Sequence, residues 1–521
     1  MGRRDGSLGS FHQRRLSRRQ ALKAVAGLGV GLAGLSSLGV FGCQAKRKDT
    51  LTVGMNNLEQ AIDPQRLTNV QSEFRHICEP LVERDATMKL VGRLAESWEL
   101  VDPRTWKFNL RKGVKFHNGE EFTAESVKFT LERVLNPDTK SGQAFLFTLI
   151  DKVEVADKNT AIIRTKSPFG ALLANLSAYG GMLPPSAATD SKILTERPTG
   201  TGPYKFVEFK KGEQWVLEAN PDYWGTKAKV PRVIYRSIME DSTRVAALQA
   251  GEIDVMRVVP PDKVDVVTKD SNLVYSKVPS VVTRYLMFNN KKKPLDDIRV
   301  RQAFAYGIDR FTIHKSILKG RGSVAKAPLS PPVFGHNPNL EPYPYDPKKA
   351  KALLEQAGLG GGFETVNMYF TGNYYPVDDQ VAQAIAEQMG ALGVKVKLDA
   401  KENQAGLVFI RAHNYDMNQA GWATLTGDPD FGLYLHFRSI PDGNRPYYEN
   451  PAVDKLLDEA KAETDQSKRE KLYWQVQEIL WKEEPYVWLW HDDSDLAMRK
   501  NVKGVVPRPD QLVIVRDAYF E

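Results

Sequence analysis

The stretch Gly421–Asp430, Gly-Trp-Ala-Thr-Leu-Thr-Gly-Asp-Pro-Asp, gathers the side chains best suited to hold a small molecule. An indole face stacks, hydroxyls donate and accept hydrogen bonds, and a carboxylate takes an ammonium group. The stretch follows a strand-like run, Tyr415–Ala420, and is too rich in Gly and Pro to continue it. It is therefore expected at the end of a sheet strand, where open α/β sheets bind ligands. The same residues also read as an ordinary turn, with Asp428 as a local cap and Trp422 in the core. Other chemistries lack their residues. The histidines stand at 12, 76, 117, 314, 336, 413, 436 and 491, and no two share a helix at ligand spacing, so no metal site is expected. Neither a Gly-x-Ser-x-Gly elbow nor a phosphate loop occurs. His413 and His436 flank the Trp422 loop and are the one place where a catalytic reading could start; a lone surface or core histidine is the simpler account. No catalytic residue and no cofactor is expected.

The elements that must position this loop follow from periodicity. Leu51–Met55 alternates like a first strand, and the loop Asn56–Pro64 follows it. Phe74–Val82 reads as a helix carrying Cys78 on its apolar side. Strands are expected around Trp98–Leu110, Val153–Val155 and Ala161–Arg164, with a helix from Thr123 to Leu135. Thr199-Gly-Thr-Gly-Pro-Tyr204 is a tight turn into a hairpin around Lys211-Gly212, and Ser242–Ala250 is a helix stopped by Gly251. Val282–Asn289 reads as a strand, and Lys291–Pro294 as the first polar stretch suited to a crossover. Helices are expected over Arg299–Ile308, Lys348–Ala357, Asp379–Leu392 and Ser467–Trp481, and strands over Val394–Leu398 and Pro485–Trp490. The aromatic run Trp474–Trp490 fits a helix packed on a strand, and so reads as core.

The formal charge of +8 comes mostly from the start of the chain. Of 72 basic and 64 acidic residues, seven and one lie in residues 1–43, leaving 65 against 63. A nearly neutral body argues against nucleic-acid binding. Residues 1–43 read as an export leader: Arg18-Arg19 matches a twin-arginine signal, with Ala21 where Phe is frequent, and a Gly/Ala-rich apolar run follows. Gly29–Gly34 matches a dinucleotide fingerprint by spacing, but no strand precedes it. Val40-Phe41-Gly42-Cys43 is similar to a lipobox, which would make Cys43 the acylated first residue of the mature chain; an uncleaved anchor or a soluble product cut elsewhere are the alternatives. Residues 44–50 form a tether.

The long motifs appear in one order. They are Leu94-Ala-Glu-Ser-Trp98, Leu110-Arg-Lys-Gly-Val-Lys-Phe-His-Asn-Gly119, Thr199–Tyr204, Asn220-Pro-Asp-Tyr-Trp224, Asp297–Phe304, Ile308-Asp-Arg310, Tyr345–Ala350 and Gly421-Trp422. On these the chain resembles the peptide/nickel-type solute-binding proteins of ABC transporters, family 5 of the extracytoplasmic binding proteins. The resemblance implies an α/β, periplasmic-binding-protein-like fold of class II, with two hinged lobes plus a small third domain. Lobe I would comprise 51–82, 200–290 and 491–521, the small domain 83–199, and lobe II 291–490. It implies a periplasmic or extracytoplasmic monomer, held at the membrane by a lipid anchor, that captures a peptide or other small solute and passes it to an ABC permease. The ligand is expected against Trp422, Ala423, Thr424, Leu425, Thr426 and Asp428, with Asn56 and Leu58 facing it from lobe I and Tyr374 from the segment 371–376. Dipeptide binders of the family carry an acid where this chain has Leu425, and an Arg in the region of 371–376, where this chain has none. That departure looks more like the longer-peptide and glutathione-type branches. Asp428 would take an ammonium group or pair with a Lys of its own chain. An oligosaccharide, opine or metal chelate, or a peptide hydrolase or chaperone-like holder, are the rival readings.

Overall fold

One eleven-stranded mixed sheet organises the protein. The computed structural model describes residues 49–521 apart from 59–61, 68–69, 372–376 and 441–443. The first half of the sheet holds Tyr204–Lys210, Gln214–Ala219, Arg232–Ser237, Thr50–Met55 and Val255–Arg257. The second half holds Met417–Ala423, Phe363–Phe370 and Val394–Lys401. Between them lie two long antiparallel strands, Leu273–Phe288 and Tyr486–Arg499, which run from one half into the other. Leu273–Pro279 pairs with Asp493–Arg499, Thr283–Met287 pairs with Tyr486–His491, and the register breaks between Pro279 and Thr283.

This places the crossover differently from the expectation. The strand begins at Leu273 rather than Val282, and residues 282–288 already pair with Met417–Ala423 of the second half. The change of half therefore falls at 280–282, and residues 282–290 do not belong with the first lobe. The polar run 291–294 is a surface turn at the far end of that strand. Lys291 reaches Glu449 at 2.5 Å, and Lys292 pairs with Asp416.

The acidic residues that open several sequence motifs are helix caps. Asp297, Asp309 and Asp346 each accept a backbone N–H from the first turn of the helices Ile298–Gly307, Arg310–Ser316 and Pro347–Gln356. Each satisfies a donor that the helix cannot pair internally. Between residues 82 and 200 the chain builds a separate four-stranded antiparallel sheet, ordered Ala95–Asp102, Thr105–Leu110, Thr160–Thr165, Ile150–Asp157, with the helix Ala124–Leu135 laid on it. Phe108, Phe122, Val127, Leu131 and Ile163 form the centre of its core.

The motif at 199–224 fastens this domain to the first half-sheet. Buried Glu79 accepts from Thr201 Oγ1 (2.9 Å), Tyr223 Oη (2.6 Å), Trp224 Nε1 (2.8 Å) and Arg93 Nε (2.6 Å). Gly200 and Gly202 lie against the backbone of 76–77: a Cβ on either would come within about 2.1 Å of a carbonyl oxygen, Ile77 O for one and His76 O for the other. Only glycine permits that approach. Cys78 is buried there, and burial pushes its thiol up to about 12, so it is inert as a nucleophile.

Candidate functional site

A cavity of about 570 Å³ opens between the two halves of the sheet, where the long strands cross. Its walls come from both sides. The first half supplies Asn56 and Asn57 from the loop after its first strand, Arg257 from the end of Val255–Arg257, and Gln511 from the C-terminal segment; the small domain supplies Phe145. The second half supplies Arg284, Tyr285 and Trp490 from the long strands, Asn418 and Ala420 to Ala423 from the strand beside them, His436 from the short helix Leu433–Phe437 and Arg445 from the loop beyond. Behind Tyr285 the packing is aromatic. Tyr285 stacks on Tyr486 at 4.3 Å, and Trp488 closes on Tyr486 at 5.1 Å.

The predicted residues divide cleanly. Asn56, Trp422, Ala423 and Leu425 border the cavity. Trp422 is held as a wall: its Nε1 donates to Phe431 O at 3.2 Å, and its ring meets Phe431 at 5.1 Å and His436 at 4.5 Å. Four others do not reach the cavity, and the expectation for them is corrected. Leu58 is buried in the core of the first half. Thr424 is buried, its N–H donating to Val281 O at 3.0 Å. Thr426 is fully buried, its hydroxyl accepting from Asp428 N at 3.2 Å and its carbonyl accepting from Arg84 Nε at 2.6 Å. Asp428 is gripped by Arg469, with Nη2 at 2.8 Å from Oδ1 and Nη1 at 2.5 Å from Oδ2. Both partners are buried, so this carboxylate is unavailable to a ligand, and its internal partner is an Arg rather than a Lys. The loop thus presents its backbone and Trp422 to the cavity and turns its polar side chains inward. Tyr374 and Cys43 lie outside the described residues.

Sequence reasoning missed most of the polar wall. Arg284 is buried, pairs with buried Asp378 and lies 5.6 Å from the Trp490 ring. Burial, partly offset by Arg284, pushes the Asp378 carboxyl up to about 7. Asp492 accepts from Trp490 Nε1 at 2.7 Å and is also raised by burial. Trp490, expected as core, is largely buried yet borders the cavity. Buried polar atoms on the wall without a hydrogen-bond partner among the described residues include Asn56 Oδ1, Asn418 Oδ1 and His436 Nε2. Such atoms are rare in folded proteins and point to an absent partner. The only signal in the sequence was the position of His436 beside the loop. Among the described residues no cluster of His, Cys, Asp or Glu is arranged to hold a metal ion, and no helix is long and apolar enough to cross a membrane.

Comparison with known proteins gives one consistent result. The family model described as bacterial extracellular solute-binding proteins, family 5 (middle), matches residues 89–444. The chain is 33% identical over 449 residues to the glutathione-binding protein GsiB of Pectobacterium atrosepticum, covering 83% of this chain and 86% of the relative. Among solved structures it resembles the periplasmic binding protein DppA of Helicobacter pylori in complex with the peptide STSA, with a TM-score of 0.80, 30% identity, and 91% and 98% of the two chains covered. It also resembles NikZ of Campylobacter jejuni in complex with Ni(L-His), with a TM-score of 0.81, 28% identity, and 91% and 99% covered.

Proposed function

The chain belongs to family 5 of the bacterial extracellular solute-binding proteins, and from that premise we propose that it captures a peptide outside the cytoplasmic membrane and delivers it to an ABC importer. The observation that carries this reading is the cavity: its size suits a small ligand, and both halves of the sheet contribute polar atoms that lack a partner. A backbone amide of the ligand supplies an N–H to Asn56 Oδ1 or Asn418 Oδ1. Trp422, Ala423 and Leu425 wall it. Because the ligand touches both halves only when they are together, binding shifts the population toward the closed form, which the permease reads. The relative named for glutathione and the neighbour in complex with the peptide STSA favour a peptide longer than a dipeptide, while other relatives are named for dipeptides. So do Leu425, in place of an acid, and Asp428, which Arg469 already occupies. A zwitterionic dipeptide would lack the clamp for its ammonium on this loop.

The same proposal takes residues 1–43 as a twin-arginine export signal and Cys43 as the lipid-bearing first residue of a monomeric, membrane-held mature chain. Mass spectrometry of the mature N-terminus tests this: an unmodified terminus anywhere but Cys43 refutes it. Native mass spectrometry of the purified protein tests the substrate. A spread of adducts fitting peptides of three or more residues supports the reading, whereas a single non-peptide mass or a metal chelate overturns it.

A further inference from the structure

Three guanidinium groups on the cavity wall are already held by polar groups of their own chain. Arg284 pairs with Asp378, Arg321 pairs with Asp495, and Arg257 donates to Asn57 Oδ1 and Gln511 Oε1. Arg445 differs. It is half-buried on the cavity wall with its Cζ 4.7 Å from the Trp422 ring centroid, and its guanidinium has no ion pair or hydrogen bond among the described residues. An arginine stacked on an indole keeps its N–H edge available for a planar, two-point acceptor.

His436 stands on the same indole, its ring 4.5 Å from that of Trp422. Its Nδ1 lies 3.0 Å from Tyr486 Oη, and Tyr486 is fully buried with no other acceptor for its hydroxyl hydrogen among the described residues. Tyr486 therefore donates, Nδ1 accepts, and the proton of the neutral ring sits on Nε2. Burial first, then the nearby charge of Arg445, hold the imidazole well below its ordinary range, so it stays neutral. Nε2–H is then a fixed, water-shielded donor with no acceptor among the described residues.

We infer that Arg445 and His436, arranged about Trp422, form a subsite for a free carboxylate of the solute; on the peptide reading above, this is the peptide's C-terminus. The two groups supply a charged two-point donor and a neutral one-point donor, which suits the three or more lone-pair directions of a carboxylate. A C-terminal amide removes the charge and places N–H groups where only donors wait.

The test uses synthetic peptides of two to five residues, each as free acid and as C-terminal amide, titrated calorimetrically into the purified protein. The acids are expected to bind roughly tenfold or more tightly than the amides, the scale of a charge-assisted contact. In Arg445→Met that preference is expected to collapse toward one, and in Arg445→Lys to survive in part, with melting temperatures close to that of the parent. His436→Phe removes the neutral donor and should lower acid affinity while leaving amide affinity nearly unchanged. Equal binding of acid and amide by the unaltered protein overturns the subsite and leaves the peptide reading standing, as does a preference that persists in Arg445→Met. If neither form binds the unaltered protein at any length, the peptide reading itself fails, and the subsite for a peptide terminus fails with it.

Discussion

Asp428 separates two accounts of the Trp422 loop. If it served the ligand, Asp428→Asn would weaken binding and leave stability nearly unchanged. The geometry says the reverse. Its carboxylate meets Arg469 at two points, with both groups buried and Tyr473 Oη a further partner of the arginine at 3.0 Å. Arg469 also donates from Nε to Ala460 O at 2.9 Å, which ties the helix Gln466–Glu483 to the end of the helix Pro451–Ala462. Removing one member of a buried pair strands the other charge, at a cost of about 3–5 kcal/mol. Asp428→Asn should therefore shift the urea midpoint downward by that amount divided by the slope. The double variant Asp428→Asn with Arg469→Met, which leaves no stranded charge, should recover part of the loss. Ligand affinity per folded molecule should change by less than about threefold, under 1 kcal/mol. An unchanged midpoint together with lost binding would refute the argument and return Asp428 to the ligand.

Three further outcomes are expected. Trp422→Ala should lower ligand affinity roughly tenfold or more, because it removes the wall on which Arg445 and His436 are arranged; unchanged affinity by calorimetry would place the site elsewhere. Gly202→Ala should destabilise by roughly 1–3 kcal/mol, since the added methyl would sit 2.1 Å from His76 O, a backbone atom that cannot move aside; a wild-type melting temperature would sink this. His76 is buried and neutral, with Val515 N–H donating to its Nε2 at 2.9 Å, and burial drops its pKa from 6.5 to about 3. The unfolded chain takes up that proton first, so the stability from this group is complete above pH 6.5 and falls by about 1.4 kcal/mol per unit as pH drops toward 3. His76→Gln should flatten the pH dependence of stability between 6 and 4 by that slope, and parallel urea curves for the two proteins would count against it.

The fold was legible because the family motifs are mostly structural parts. Asp297, Asp309 and Asp346 are caps, and Thr201, Tyr223 and Trp224 converge on Glu79, so their types and spacing reflect local geometry. The crossover lies outside the expected place because Ser276, Lys277, Pro279 and Ser280 interrupt the apolar pattern of the strand, leaving only the apolar end of its buried part, which begins at Ser280, to read as strand. The loop was found but its polarity was inverted. Its polarity is set by partners distant in sequence: Arg469 takes the Asp428 carboxylate and Arg84 the Thr426 carbonyl. Arg445 sits in the Pro/Gly/Asn stretch 441–446, which reads as plain loop, and nothing in the spacing ties it to Trp422 or Tyr486. Such partnerships are made by tertiary packing, and one sequence does not encode them as a pattern.

The two long strands that join the halves are hydrogen-bonded to each other on both sides of the break at 280–282. The connection is thus a ladder rather than a pair of independent strings. Bending or twisting it is cheap at the rungs missing between Pro279 and Thr283, but sliding one strand along the other would break every rung and turn each side chain to the wrong face. A swing of one half against the other would therefore turn, like the legs of a compass, about the irregular stretch 279–285 in a fixed registration. Asn56 and His436 would then meet in the same relative frame at every closure.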